Sequence, residues 1–304
     1  MKYEMRNMKG LFMNNRIVLF LVFVFAFLIS CEKEISIDDL PQPGEKIVVE
    51  GHIEPGQNPY VYLSKNAPYF APTDLNAYQQ YLIQDALVII TDGFTTDTLT
   101  EVIPSLGYYY RADNMVGVAG RSYTITITAL GKTVTATTTI PQPVYLDTLW
   151  FELYVPEEND SLGFIWTNLS DPPGLGNAYR WMAKRIGKDA DFIAPLGSVF
   201  DDKFIDGQSF EFAYNRGSLP NSTAEDDNNA ERGFFKKGDT VVVKFCSIDN
   251  AAFEFYRSFE TELFSNGNPF ASPSTIKSNI FPEEYGLGVF CGYGAALDTV
   301  ILNP

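Results

Sequence analysis

Histidine is almost missing from this sequence: His52 is the only one in 304 residues. That excludes zinc centres built on several histidines and makes Ser-His-Asp or Cys-His chemistry a poor reading. His52 lies inside Ile47 to Ile53, a run rich in β-branched residues, where it reads as a strand residue facing solvent and not as a catalytic base. Cysteine is nearly as scarce, with Cys31, Cys246 and Cys291 and no CxxC pair, so neither a redox motif nor a thiolate metal site has support. Basic residues are few, 22 against 38 acidic ones, for a formal charge of -16. So acidic a chain repels phosphate backbones, which argues against nucleic acid as a partner. A Gly-x-Ser-x-Gly elbow, a phosphate-cradling glycine loop and internal repeats are missing too.

What is present begins with an export pattern. Lys2, Arg6, Lys9 and Arg16 stand against Glu4 alone and lead into Ile17 to Ile29, thirteen residues without a charge. A spanning helix needs about 20 apolar residues, and this run is closed by Ser30, Cys31 and Glu32-Lys33-Glu34. Leu28-Ile29-Ser30-Cys31 resembles the lipobox of bacterial lipoproteins, which implies that residues 1–30 are removed and that Cys31 carries lipid. Two or three acyl chains at that position would hold the protein firmly at a membrane. Without residues 1–30 the chain loses four basic residues and one acid, and its formal charge becomes -19. No aspartate directly follows Cys31, and Glu32, Glu34, Asp38 and Asp39 look like the acidic tag of lipoproteins sent to the outer face of the Bacteroidota outer membrane. The expected location is therefore the outer membrane, facing outward.

Residues 31–45 carry charge, Pro41, Pro43 and Gly44 without periodicity and read as an acidic tether. Short β-branched and aromatic runs follow at 47–54, 59–63, 86–91, 95–100, 107–111, 121–128 and 133–139, broken by Pro55-Gly56, Asp92-Gly93, Gly117 to Gly120 and Leu130-Gly131. Tyr123, Ile125 and Ile127 alternate with threonines up to Gly131 and the alternation resumes beyond it, which predicts a hairpin. The expectation is an immunoglobulin- or transthyretin-like β-sandwich over 46–141, ended by Pro141 and Pro143 because proline cannot donate to a ladder. A second β-rich domain is expected over 144–304, with strands at 144–155, 162–168, 178–186, 240–245, 286–292 and 297–302. Its one helix is placed near 249–264, capped by Asp249, with Ala252, Phe255, Tyr256, Phe259 and Leu263 on one stripe. Asn221 to Glu231 reads as a polar loop.

Several blocks together resemble a Bacteroidota lipoprotein family, domain of unknown function 4249. They include Ile47-Val48-Val49-Glu50-Gly51, Tyr60-Val61-Tyr62-Leu63-Ser64 leading to Pro68-Tyr69-Phe70, Asp97-Thr98-Leu99 and Thr137 to Pro141. In the second half the blocks are Asp171-Pro172-Pro173-Gly174, Tyr179-Arg180-Trp181, Ser247-Ile248-Asp249, Asn268-Pro269-Phe270 and Gly286 to Phe290. The resemblance spans essentially the whole chain after Cys31. It implies a surface lipoprotein encoded beside a TonB-dependent outer-membrane receptor, and it brings no catalytic motif and no cofactor. Cys291-Gly292 departs from the family pattern, so a bridge between Cys246 and Cys291 would lie outside it; from the residues alone, the bridge and two buried free thiols both stand.

Aromatic residues crowd one turn-rich part of the first half: Tyr69, Phe70, Tyr78, Tyr81, Tyr108, Tyr109 and Tyr110. Successive strand residues face opposite sides, so at least one of the last three points away from the core. Loop tyrosines anchor protein or sugar contacts, and this set is the candidate partner surface, against the plainer reading that it covers the sandwich edges. No metal site is expected, because the acidic clusters read as solvated loops; Asp201, Asp202 and Asp206 beside Gly207 are the best candidate should one exist. Recurring Asp-Ser/Thr-aliphatic triplets, such as Asp97-Thr98-Leu99 and Asp298-Thr299-Val300, resemble Bacteroidota O-glycosylation acceptors and equally suit turns into strands. The functional expectation is a non-enzymatic accessory or ligand-binding partner of a TonB-dependent receptor. The alternatives are a stand-alone glycan- or protein-binding surface module, then a carboxylate- or metal-dependent hydrolase.

Overall fold

The computed structural model describes residues 44–68, 78–103, 109–154, 161–217, 231, 233–265 and 275–303. The export segment, Cys31, most of the tether, Tyr69, Phe70, Tyr108 and most of the polar stretch 221–231 lie outside these residues. The chain is mainly β. Among the described residues no helix is long and apolar enough to cross a membrane.

Strand β1 (Ile47–Ile53) sends Ile47, Val49 and Ile53 inward and Val48, Glu50 and His52 to the opposite face. It pairs antiparallel with β2 (Tyr60–Lys65) and parallel with β16 (Gly286–Gly292). With β5 (Thr100–Val102) and β6 (Tyr109–Arg111) these make a first sheet ordered β16-β1-β2-β6-β5. A second sheet holds β4 (Thr96–Thr98), β3 (Leu87–Thr91), β7 (Ser122–Ala129) and β8 (Lys132–Thr139) in that order. Val61, Leu63, Val88, Ile90, Tyr110, Ile125, Val134 and Phe290 fill the space between the two sheets. The hairpin at Gly131 forms as expected: Leu130 and Gly131 both take positive φ, 53° and 69°, as a two-residue turn matched to strand twist requires. The single strand expected over 95–100 divides at Leu99, which is buried and donates its N–H to Val88 O at 2.9 Å, so β4 and β5 join different sheets.

The rest of the chain builds a second pair of sheets. β9 (Thr148–Leu153), β13 (Ser209–Tyr214) and β14 (Phe235–Lys236) all pair with β10 (Leu162–Ser170). The fourth sheet runs β12-β11-β15-β17, made of Val199–Asp201, Ala178–Arg185, Thr240–Ile248 and Gly294–Ile301. Phe151, Ile165 and Leu169 of the third sheet and Tyr179, Trp181, Val243 and Phe245 of the fourth share one core. β12, β13 and β14 are absent from the sequence expectation: β12 and β14 are only three and two residues long, while β13 does alternate, with Phe210, Phe212 and Tyr214 turned to the core.

Helix α1 (Asn250–Ser265) starts where expected, with Asp249 Oδ1 accepting the Ala252 N–H at 2.8 Å. Ala252, Phe253 and Tyr256 are buried, but Phe259 and Leu263, expected on the buried stripe, are exposed. Only the first turns lie against the third core, where they meet Ala178, Met182 and Cys246 of the fourth sheet and Val289, Cys291 and Tyr293. β16 is thus covered on both faces. Beyond residue 144 the strands belong to the third and fourth sheets, except β16, which joins the first.

The edge of β16 that does not face β1 is closed by side chains. Asn279 donates from Nδ2 to Phe290 O at 2.8 Å and accepts the Phe290 N–H on Oδ1 at 3.0 Å, Ser278 Oγ donates to Gly288 O at 2.9 Å, and Thr138 Oγ1 accepts the Gly292 N–H at 2.7 Å. Asn279→Ala leaves a buried donor and a buried acceptor unmet and is expected to lower stability by about 2–4 kcal/mol, read as a shifted urea midpoint with unchanged slope. A loss under 1 kcal/mol would mean that water replaces the amide.

Candidate functional site

The outward face of the first sheet carries polar and aromatic side chains in rows, because residues directly opposite in neighbouring strands share a face. One row runs Glu50–Tyr62–Tyr109 across β1, β2 and β6, and the next runs His52–Tyr60–Arg111. The tyrosine rings touch: centroids lie 5.7 Å apart for Tyr60 and Tyr62, 5.7 Å for Tyr62 and Tyr109, and 6.3 Å for Tyr60 and Tyr109. Their planes meet at 89°, 47° and 70°, so the rings form an angular cluster instead of a flat platform. Tyr62 is 44% exposed and Tyr78, on the short segment beyond β2, is 53% exposed.

Toward β16 the band continues under cover. His52 packs against Tyr60 at 4.0 Å and Tyr293 at 5.1 Å between centroids. Its Nε2 stands 3.3 Å from Glu54, which also takes the Lys244 ammonium. Arg180 stacks its guanidinium 3.6 Å from the centre of Tyr256 and donates to the Tyr293 hydroxyl, which is 2.7 Å from that of Tyr256. Lys244 lies 5.2 Å from the Phe192 ring and 5.7 Å from Tyr293. Arg180 Nε is buried without a hydrogen-bond partner.

Burial holds the His52 imidazole below the usual histidine value, against the pull of Glu54. Burial also works against the Glu54 charge, yet the hydrogen bond from His52 and the Lys244 ammonium hold its carboxyl below the ordinary range. Burial, then Asp191 and Glu50, raise the Tyr62 phenol, and burial with Glu50 raises Tyr78, so both rings stay neutral at physiological pH.

Of the seven aromatic residues expected to meet a partner, Tyr109 and Tyr78 belong to this face. Tyr110 does not: it is 1% exposed, points between the sheets and donates its hydroxyl to Ile83 O at 3.0 Å. The alternation of β6 imposes this, since Tyr109 and Tyr110 must face opposite ways. Tyr81 is half-buried and its carbonyl accepts the Lys65 N–H at 2.8 Å; Tyr69, Phe70 and Tyr108 lie outside the described residues. Tyr60, Tyr62 and Glu50 were missed, although Tyr60-Val61-Tyr62-Leu63 alternates visibly. His52, expected to face solvent, is on the outward face but only 21% exposed in its side chain, because Tyr60, Tyr293 and Glu54 close around it.

The best acidic candidate is rearranged. Asp202 and Asp206 come together with Asp171, their oxygens within 4.8 Å of one another, while Asp201 is exposed on β12 and takes no part. Each of the three is engaged by backbone amides: Asp202 accepts from Gly176 at 2.9 Å and Asn177 at 2.8 Å, Asp206 from Gly174 at 2.6 Å, and Asp171 from Gly207 at 3.0 Å and from the Tyr179 hydroxyl. These acids staple the loops 171–177 and 202–207, and a bound cation would have to share their oxygens with those amides.

Cys246 and Cys291 are free and buried in the third core, on strands of different sheets. Burial pushes the Cys246 thiol up to about 12 and Cys291 well above its usual value, so both stay protonated. The folded mature protein is expected to react with no equivalent of a thiol reagent at pH 8, and with two after unfolding in guanidinium; two equivalents in the native state would contradict the packing.

A pH dependence follows from His52. Unfolded, it binds a proton near 6.5, and folded it binds one only below that. The unfolded state therefore holds more protons beneath pH 6.5, and stability falls as pH drops, with Glu54 acting the same way from about 4.5 downward. The slope should approach at most about 1.4 kcal/mol per pH unit, and His52→Gln should flatten it between pH 6.5 and 5 in urea titrations. An unchanged slope would assign it to other groups.

Residues 32–297 match the family described as Domain of unknown function (DUF4249). No curated protein matches the chain. Among solved structures, the crystal structure of pullulanase type I from Bacillus subtilis str. 168 complexed with maltose is matched at 11% identity and a TM-score of 0.19, over 66% of this chain and 23% of that one. The chain spans about a quarter of that structure, and a likeness so slight carries no argument.

Proposed function

This chain belongs to the family described as Domain of unknown function (DUF4249), and on that premise we propose that it is a non-enzymatic binding lipoprotein. It is anchored through Cys31 in the outer membrane, faces outward and serves as accessory or ligand-binding partner of a TonB-dependent receptor. The observation that carries the binding role is the tyrosine face of the first sheet, where Tyr62 and Tyr78 remain exposed beside a layer that buries Tyr256 and Tyr293. Tyrosines of this kind give much contact area for little loss of side-chain freedom. The lipid anchor and the receptor are supported by Leu28-Ile29-Ser30-Cys31, the acidic residues after it and the resemblance of the whole chain. The second reading, a stand-alone glycan- or protein-binding surface module, draws on the same face. The acids that would serve a hydrolase are occupied by backbone amides, which favours a binding role.

Affinity purification of tagged protein from its native outer membrane, with mass spectrometry of what remains bound, tests the receptor role. A TonB-dependent receptor in roughly equal amount is the expected outcome. The lipoprotein coming down alone would overturn the accessory role in favour of the stand-alone module.

A further inference from the structure

The inner half of the aromatic band already shows what these rings hold. Arg180 lies over Tyr256, and Lys244 sits near Phe192 and Tyr293 with Glu54 as its carboxylate. Rings and one carboxylate around a cation is therefore a unit this fold uses. The outer half repeats the rings and the carboxylate. Glu50 is exposed, stands directly opposite Tyr62, and has no hydrogen-bond or ion-pair partner among the described residues. Asp191, also exposed, acts electrostatically on Tyr60 and Tyr62. What the outer half lacks is the cation: among the described residues none lies over Tyr60, Tyr62 or Tyr109, and Arg111 on the same face is paired with Asp113 at 3.7 Å.

We propose that Tyr60, Tyr62 and Tyr109 with Glu50 form a recognition site for a lysine or arginine side chain presented by a polypeptide partner. The inference rests on the reading of this protein as a binding module and names the chemistry of its partner. Charge favours a cation over a neutral glycan: the π-face of an aromatic ring attracts a cation, Glu50 and Asp191 beside the rings would find no opposite charge in a neutral sugar, and planes meeting at 47° to 89° make no flat platform for one. Charge decides against an acidic partner, since Glu50 and Asp191 flank the rings and the whole chain carries -16.

The test is fluorescence anisotropy on the full lipidated protein in detergent. The probes are a labelled ten-residue peptide alternating lysine with serine, the same peptide with every lysine acetylated, and a labelled linear gluco-oligosaccharide. The lysine peptide should bind, and acetylation should abolish binding. Tyr62→Ala and Glu50→Gln should each weaken it about tenfold, Tyr62→Phe should keep it because the ring remains, and Phe264→Ala, an exposed aromatic on α1, should change nothing. Tyr62→Ala leaves every charge in place, so binding that survives it would be mere attraction to an acidic surface and would overturn the site. Equal binding of the acetylated peptide, or preferential binding of the oligosaccharide, would overturn it as well. A receptor that co-purifies equally with wild type and with Tyr62→Ala/Glu50→Gln would sink the site and leave the proposed function standing; peptide binding as expected, with no receptor in the native membrane, would do the reverse.

Discussion

The structure depends on burying β16 on both faces. Gly286, Gly288, Phe290 and Gly292 alternate with Leu287, Val289 and Cys291, so one set of side chains turns into the sandwich and the other toward the fourth sheet and α1. Close approach to its neighbours is built in: a Cβ on Gly288, at φ 115°, would stand 2.0 Å from Val49 O, and one on Gly292 would stand 2.6 Å from Thr139 O. A strand so enclosed must satisfy its free edge without water, and Asn279, Ser278 and Thr138 supply those partners. Thr138 Oγ1 in turn donates to Asp249 at 2.5 Å, the residue that caps α1. One run of hydrogen bonds therefore fixes strand, helix and sandwich together.

That constraint places the candidate site. Because the fourth sheet and α1 cover β16, the outward face of the first sheet is divided into a buried part holding Arg180, Tyr256 and Tyr293 and an open part holding Tyr62 and Tyr109. Burying Arg180, Lys244, Glu54 and His52 is not a source of net stability, since desolvation commonly matches what the pairs return. Their contribution is geometric: a stacked guanidinium and a carboxylate shared between His52 and Lys244 fix the ring of Tyr293, and through His52 the ring of Tyr60. The open tyrosines rest on a rigid floor, which lowers the entropy lost when something binds there.

Much of the first sandwich was legible because its strands alternate: Tyr123 to Thr128 and Thr133 to Ala136 state both their sheet and the turn between them. α1 was legible from Asp249 and its spacing of apolar residues, but not how far the covering layer extends, so Phe259 and Leu263 were misjudged. Parity within Tyr108-Tyr109-Tyr110 could not be resolved from one short strand; it is set by the pairing of Tyr109 with Tyr62. The parallel partner of β1 comes from more than 230 residues away, and nothing local in Gly286 to Gly292 announces it. Asp171 was not grouped with Asp202 and Asp206 for the same reason, since about thirty residues separate it from them and only the meeting of two loops brings its oxygens near.

The use of carboxylates separates surplus charge from structural charge in this acidic chain. Asp92 accepts from the Phe94 and Thr95 amides and from Arg121, Asp97 from Asn114 and Met115, Asp249 from Ala252 and Thr139, and the Asp171, Asp202 and Asp206 group from four more amides. These acids substitute for missing backbone acceptors at turns and helix starts, where aspartate reaches its neighbours' N–H groups at little conformational cost. Their negative charge is spent within the fold. Glu50 is not among them: like Glu211 and Asp201 it is an exposed carboxylate on a strand that no amide or cation meets among the described residues. What sets Glu50 apart from those two is its neighbour, since it stands directly opposite Tyr62 on the face that carries Tyr60 and Tyr109.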